Sequence, residues 1–134
     1  MKQITVDATI DQIEVVTDFV NAELEERDCP LKTVMQIDVA LDEILANVAH
    51  YAYPEGTVGK VQVSLSVEPN RITLTFVDEG KPYDPTQKSD PDTTLSADER
   101  EIGGLGIFLV KKTMDSIDYE YADGKNVLRI TKSF

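Results

Sequence analysis

The chain is short of the residues on which several common chemistries depend. It has one cysteine, Cys29, and one histidine, His50. A single thiol excludes an intrachain disulfide and fits a reducing compartment. With no second thiol or histidine beside it, Cys29 makes a poor nucleophile, and a multi-histidine metal centre is excluded outright. Positive charge is scarce as well: 13 Lys and Arg stand against 25 Asp and Glu, a net charge of -12. Binding to a nucleic-acid backbone relies on cations that neutralise phosphates, so neither nucleic acid nor an anionic membrane surface is an expected partner. No apolar run approaches membrane-spanning length, and Met1–Asp7 carries no signal-peptide core. A cytoplasmic protein is expected.

What is present suits one globular domain. The 134 residues are 41% hydrophobic and 28% charged. A chain of this size buries roughly two-thirds of its unfolded surface and needs no covalent staples. The whole span 1–134 is therefore expected to be a single domain.

Periodicity divides the chain into elements. Ile4 and Val6 alternate in a first strand over 3–8. Ile13, Val16, Val20 and Leu24 recur at helical spacing within 10–26. Asp28-Cys29-Pro30 breaks that pattern, and Pro30 suits the start of a helix over 31–52. Its apolar stripe is Val34, Ile37, Leu41, Ile44, Leu45, Val48 and Ala52, with Glu43, Asn47 and His50 on another face. A hairpin follows: Val61, Val63, Leu65 and Val67 share one face of its first strand, and Ile72, Leu74 and Phe76 one face of its second. Residues 79–102 are rich in Asp, Pro, Ser and Thr without periodicity, a length of loop that often serves as an active-site lid. The helix predicted over 104–115 has Leu105, Phe108, Leu109 and Lys112 in register, and strands 117–121 and 127–131 flank the turn Asp123-Gly124. Hairpins with segregated helices predict an α+β sandwich.

Three motifs in fixed order carry the chemistry. The first is Glu43 and Asn47, one helical turn apart, so that their side chains project together. An amide oxygen suits Mg²⁺, a hard cation that takes few protein ligands, and a neighbouring carboxylate can act as general base. The second is Asp78-Glu79-Gly80 at the end of an apolar strand. A carboxylate there can accept a hydrogen bond from an amino group such as adenine's, and Gly80 lets backbone approach a ring. The third is Gly103-Gly104-Leu105-Gly106 at a helix start, where free N–H groups and the helix dipole favour an anion. It is not a P-loop, because Ile107 and Phe108 follow Gly106 in place of Lys-Ser/Thr. Nor is it a dinucleotide fingerprint, because a polar loop rather than a strand precedes it. Taken singly, each motif also reads as ordinary structure: a solvated helix face, a strand-end turn and a hinge.

Taken together and in order, these residues resemble the GHKL superfamily of ATPases and kinases, and in particular its anti-sigma-factor serine/threonine protein kinase branch. The resemblance runs from about Ile4 to Ile130. The family's N box falls on Glu43 and Asn47, and Asn47-Val48-Ala49-His50-Tyr51-Ala52-Tyr53 continues in its style. The G1 box falls on Asp78 and Gly80, followed by Lys81-Pro82-Tyr83-Asp84-Pro85, and the G2 box falls on Gly104, Leu105 and Gly106. The resemblance implies a Bergerat-type two-layer α/β sandwich, with a mixed, mostly antiparallel sheet, helices on one face and an ATP lid over about 81–102. It implies ATP and Mg²⁺ as cofactors. Glu43 would be the general base, Asn47 the Mg²⁺ ligand and Asp78 the adenine contact, with Gly80, Gly104, Leu105 and Gly106 completing the nucleotide site. The partners it implies are a STAS-domain anti-anti-sigma protein that receives a phosphoryl group on serine, an alternative sigma factor that is sequestered, and a second copy in a homodimer. A non-catalytic, nucleotide-gated binding protein of the same fold is the alternative. A detached histidine-kinase ATPase domain fits less well, since no helix carrying a phosphoacceptor histidine accompanies the motifs. Two features depart from the branch. His50 sits one place before the position, here Tyr51, where the branch often has histidine. The lid is also acidic, with Asp84, Asp90, Asp92, Asp98, Glu99 and Glu101 opposed only by Lys81, Lys88 and Arg100.

Overall fold

A computed structural model of the chain describes residues 1–87 and 104–134. Most of the expected lid, with Lys88, Asp90, Asp92, Asp98, Glu99, Arg100, Glu101 and Gly103, lies outside the described residues. The elements are β1 (Lys2–Asp7), α1 (Ile13–Glu26), α2 (Leu31–Asn47), β2 (Lys60–Glu68), β3 (Arg71–Asp78), α3 (Gly104–Thr113), β4 (Ser116–Ala122) and β5 (Lys125–Ser133). The strands form one sheet in the order β1-β2-β3-β5-β4. All four pairings are antiparallel, so the sheet expected to be mostly antiparallel is so throughout the described residues.

Alternation fixes which face of the sheet is buried. Val63, Leu65, Leu74, Phe76, Leu128 and Ile130 point inward, and their polar neighbours Ser64, Thr73, Thr75 and Arg129 point outward. The inward set meets Val16, Val20 and Leu24 of α1, Ile37, Leu41 and Ile44 of α2, and Val110 of α3 in one core. Burying each such side chain stabilises the fold by roughly 1.5–3 kcal/mol. At the β4–β5 turn both central residues have positive φ, 55° at Asp123 and 76° at Gly124. That is the type I′ geometry for which Asp-Gly is suited.

Two elements differ from the sequence reading. The helix expected over 31–52 is α-helical only to Asn47, and Val48–Ala52 form a wider π-helical turn. Such turns, rare elsewhere, frequently mark functional sites. In α3 the large side chains buried among those described are Ile107 and Val110, continued by Met114, whereas Leu109 of the expected face is 40% exposed. With a short, almost wholly apolar helix, periodicity offers two faces. Packing against α2 and the sheet selects the one spaced i, i+3, i+7.

Candidate functional site

The π-turn, the end of β3 and the start of β5 enclose a pocket of about 450 Å³, counted to the open solvent. Its walls are mainly apolar: Ile44 and Val48 on one side, Phe76 and Leu128 from the sheet, and Ile107 from α3. Asn47, Asp78 and Asn126 supply polar groups. A concave apolar slot with a few placed polar atoms is the usual form of a site for a flat organic ring.

Asp78 is buried and its carboxylate is held from two sides. The Gly80 N–H donates to Oδ1 at 2.9 Å, and Asn126 Nδ2 donates to the same oxygen at 2.9 Å. Register explains the second bond, since Asp78 and Asn126 lie directly opposite on β3 and β5. Among the described residues both bonds to Asp78 use Oδ1, so Oδ2 keeps its capacity as an acceptor. Asn126 Nδ2 also donates to the Lys81 carbonyl at 2.8 Å, while Asn126 Oδ1 accepts from the Tyr83 N–H at 3.1 Å and from the Tyr119 hydroxyl. Burial pushes the Tyr119 phenol up from its usual range, so it stays protonated and donates. Asn126 was not among the residues singled out from sequence. Its neighbourhood to the Asp-Gly turn was visible there, but the opposition to Asp78 depends on strand order.

At Gly80 the close approach seen is within the chain. A Cβ there would overlap the Ala52 carbonyl oxygen and lie 2.6 Å from the carbonyl carbon. The close approach that Gly80 permits is therefore to the π-turn of this chain, and the Lys81 N–H donates to the Ala52 carbonyl at 2.8 Å. Tyr53 fastens the same region. Its hydroxyl donates to the Lys60 carbonyl at 2.6 Å and accepts from the Glu79 N–H at 2.9 Å.

The first and third motifs also come together. Gly106 lies in the first turn of α3 against Glu43 of α2. A Cβ on Gly106 would overlap the Glu43 carboxylate and stand 2.9 Å from its Cγ. Gly104 opens α3, with Leu105 following it. Glu43 is half-buried at this contact, outside the walls of the pocket. Asn47, one turn on, is buried, and among the described residues its Nδ2 has no hydrogen-bond partner. An Nδ2 left without a partner in the chain fits a side chain that serves a bound group. Among the described residues no group of three or more His, Cys, Asp or Glu could hold a metal by itself. His50 is exposed on the π-turn, its ring 6.1 Å from that of Tyr51. Cys29 lies away from the pocket, and burial pushes its thiol up, against thiolate formation.

Comparison with known proteins accords with this geometry. Residues 6–132 match the family described as histidine kinase-like ATPase domain. The chain is 30% identical over 95 residues to the serine/threonine-protein kinase BtrW of Bordetella bronchiseptica, covering 71% of this chain and 67% of that protein. It is 28% identical over 106 residues to an anti-sigma F factor of Caldanaerobacter subterraneus, covering 78% and 73%. It is 29% identical over 98 residues to the serine-protein kinase RsbW of Bacillus subtilis, covering 70% and 61%. Among solved structures, the RsbU and RsbW domains of a Mycobacterium tuberculosis protein superpose with a TM-score of 0.64 at 14% identity, over 98% of this chain and 32% of that one. The mycobacterial sensor histidine kinase MprB superposes with a TM-score of 0.55 at 16% identity, over 98% and 97%. No helix among the described residues is long and apolar enough to cross a membrane. With a family match across nearly all of its length and the Glu43–Asn47, Asp78–Gly80 and Gly104–Gly106 motifs in its sequence, the chain belongs to the histidine kinase-like ATPase domain family, whose members similar to it include serine/threonine-protein kinases and anti-sigma F factors.

Proposed function

We propose that the chain is an ATP-dependent serine/threonine protein kinase of the anti-sigma type, phosphorylating a STAS-domain partner and sequestering a sigma factor. The adenine ring would enter the pocket between Val48, Phe76 and Leu128, with its amino group donating to Asp78 Oδ2. The triphosphate would run towards the start of α3, where Gly104, Leu105 and Gly106 offer backbone N–H groups. Mg²⁺, held through Asn47, would neutralise charge on the phosphates.

Glu43 then has one task. It accepts the proton from the partner's serine hydroxyl as that oxygen bonds to the γ-phosphorus. The bond from the γ-phosphorus to the β,γ-bridging oxygen breaks, and ADP leaves. A general base of this kind contributes on the order of 10²–10⁴ in rate. Excluding water from the site favours transfer to the hydroxyl over hydrolysis.

The observation that carries the reading is the carboxylate of Glu43 seated against Gly106, where the helix bearing Asn47 meets the helix that would cradle phosphate. A protein that only binds nucleotide has no use for that carboxylate. The test is to incubate the protein with Mg-ATP and STAS-domain proteins of the same genome and to assay them for phosphoserine. Phosphorylation that Glu43→Ala removes, with ATP binding retained, is the expected result. ATP binding without phosphorylation of any of these proteins would reduce the chain to a nucleotide-gated binding protein.

A further inference from the structure

The surface between α2 and α3 carries a groove that nucleotide binding does not use. It is lined by Leu31, Lys32, Met35, Gln36, Val39, Leu109 and Thr113. Nine large apolar residues are exposed among those described, and four of them lie here: Leu31 at 73%, Met35 at 59%, Val39 at 43% and Leu109 at 40%. Apolar side chains gathered this way on an acidic, otherwise polar surface mark an interaction site.

Two observations say what covers it. The first is direction. Leu31, Met35 and Val39 are spaced i, i+4, i+8 along α2, and the next residue in that series is Glu43. At about 1.5 Å per residue, the groove's outer end stands about 18 Å from the position of Glu43. Whatever lies along it is led to the carboxylate assigned to the transfer.

The second is charge. Among the described residues the lining holds Lys32 and no carboxylate, in a chain of net charge -12. Exposed Lys112 follows Leu109 by one turn. Of the acids on α2, Asp38 is half-buried near Asn21 of α1, and Asp42 and Glu43 lie at the inner end of the stripe. Lys32 and Lys112 suit a partner that carries carboxylates beside its apolar face, and a second copy is the competing occupant that the test separates.

We propose that this groove docks the protein whose hydroxyl is phosphorylated. The partner lays an amphipathic helix in the groove, its aliphatic anchors on Met35, Val39 and Leu109 and its flanking carboxylates towards Lys32 and Lys112. Helix-in-groove recognition of this kind takes anchors at i, i+3, i+4 and i+7. The acceptor hydroxyl follows the anchored helix and so arrives at Glu43. The proposal rests on the kinase reading, and its test separates the two.

The probes are full-length STAS-domain proteins of the same genome, used with the wild-type chain, Met35→Glu and Lys32→Glu. Both substitutions are on exposed side chains, and unchanged melting temperatures certify folding. Binding is measured by calorimetry and transfer by steady-state kinetics with Mg-ATP. Met35→Glu is expected to raise the KM for the partner at least tenfold, with ATP affinity and kcat at saturating partner kept. Lys32→Glu should raise that KM severalfold at low salt, an effect that fades as salt screens it. Unchanged KM values overturn the groove while leaving the kinase intact. If the partner binds but receives no phosphate, the kinase reading fails and the groove is judged by binding alone, where a tenfold weaker Kd for Met35→Glu supports it and an equal Kd overturns it. If no partner binds, or if Met35→Glu changes only the oligomeric state in sedimentation, the groove does not dock a substrate.

Discussion

Replacing Gly106 by alanine tests whether the two helices of the site act as a unit. The new Cβ would stand 2.9 Å from Glu43 Cγ and overlap the carboxylate beyond it. Carbon atoms prefer about 3.5–4.0 Å, so Cγ alone must retreat by about 0.6–1.1 Å, and the carboxylate by more. Backbone stability should change little, because alanine is favoured over glycine in a helix by about 1 kcal/mol and offsets the cost of moving a flexible side chain. Catalysis should not be so tolerant. A displacement of about 1 Å at a reacting group can cost on the order of 10²-fold, or about 2.7 kcal/mol of barrier. Phosphoryl transfer to the partner is therefore expected to fall about 10²-fold. The assay is a double-mutant cycle with Glu43→Ala, read as kcat for transfer and, separately, as nucleotide affinity. In the Glu43→Ala background there is no carboxylate to displace, and Gly106→Ala should slow transfer by less than about threefold. Equal losses in both backgrounds would refute the coupling and show that Gly106 acts on the phosphates without Glu43.

Three further substitutions probe other parts of the account. Asn126→Ala leaves the Asp78 carboxylate and the Lys81 carbonyl each short of a donor. It should destabilise the fold by about 1–3 kcal/mol in urea titration and weaken ATP binding at least tenfold. Gly80→Ala drives a Cβ into the backbone carbonyl of Ala52, which cannot swing aside as a side chain can. A loss of about 1–3 kcal/mol is expected by the same measurement. Asp38→Asn should stabilise the chain. Burial chiefly, with the nearby charge of Asp42, pushes the Asp38 carboxyl up against the opposing hydrogen bond from Asn21. The folded-state value thus lies above the unfolded one, and ionisation costs stability as pH rises through it. Melting curves should show the gain at pH 7 and its disappearance below about pH 3, where Asp38 is neutral in both states.

The order of these elements was legible because each strand face alternates cleanly. Val61, Val63 and Leu65 against Ile72, Leu74 and Phe76 define a hairpin without knowledge of the remainder, and Asp123-Gly124 defines the other turn. Strand order was not legible. Nothing local tells β5 to enter between β3 and β4, and that insertion sets Asn126 opposite Asp78. The face of α3 was misread for a related reason: Leu105 through Val110 is nearly all apolar, so the choice between Leu109 and Val110 belongs to the packing partner. The π-turn at Val48–Ala52 keeps the apolar spacing of a helix and gave no sign in the sequence. Glu43, Asn47 and Asp78 could be singled out from sequence because the chemistry proposed for them depends on residue type and local spacing. The contact of Glu43 with Gly106 joins residues 63 positions apart and emerged only with the fold.

The central claim is that Glu43 acts as the general base when ATP phosphorylates a protein hydroxyl, and one measurement tests it most directly. Wild type and Glu43→Ala, each saturated with γ-labelled Mg-ATP, are mixed with a STAS-domain partner, and labelled phosphoserine is followed in time. The account predicts label on the partner with the wild type and a rate at least 10²-fold lower with Glu43→Ala at equal nucleotide occupancy. Equal rates from the two proteins would contradict it.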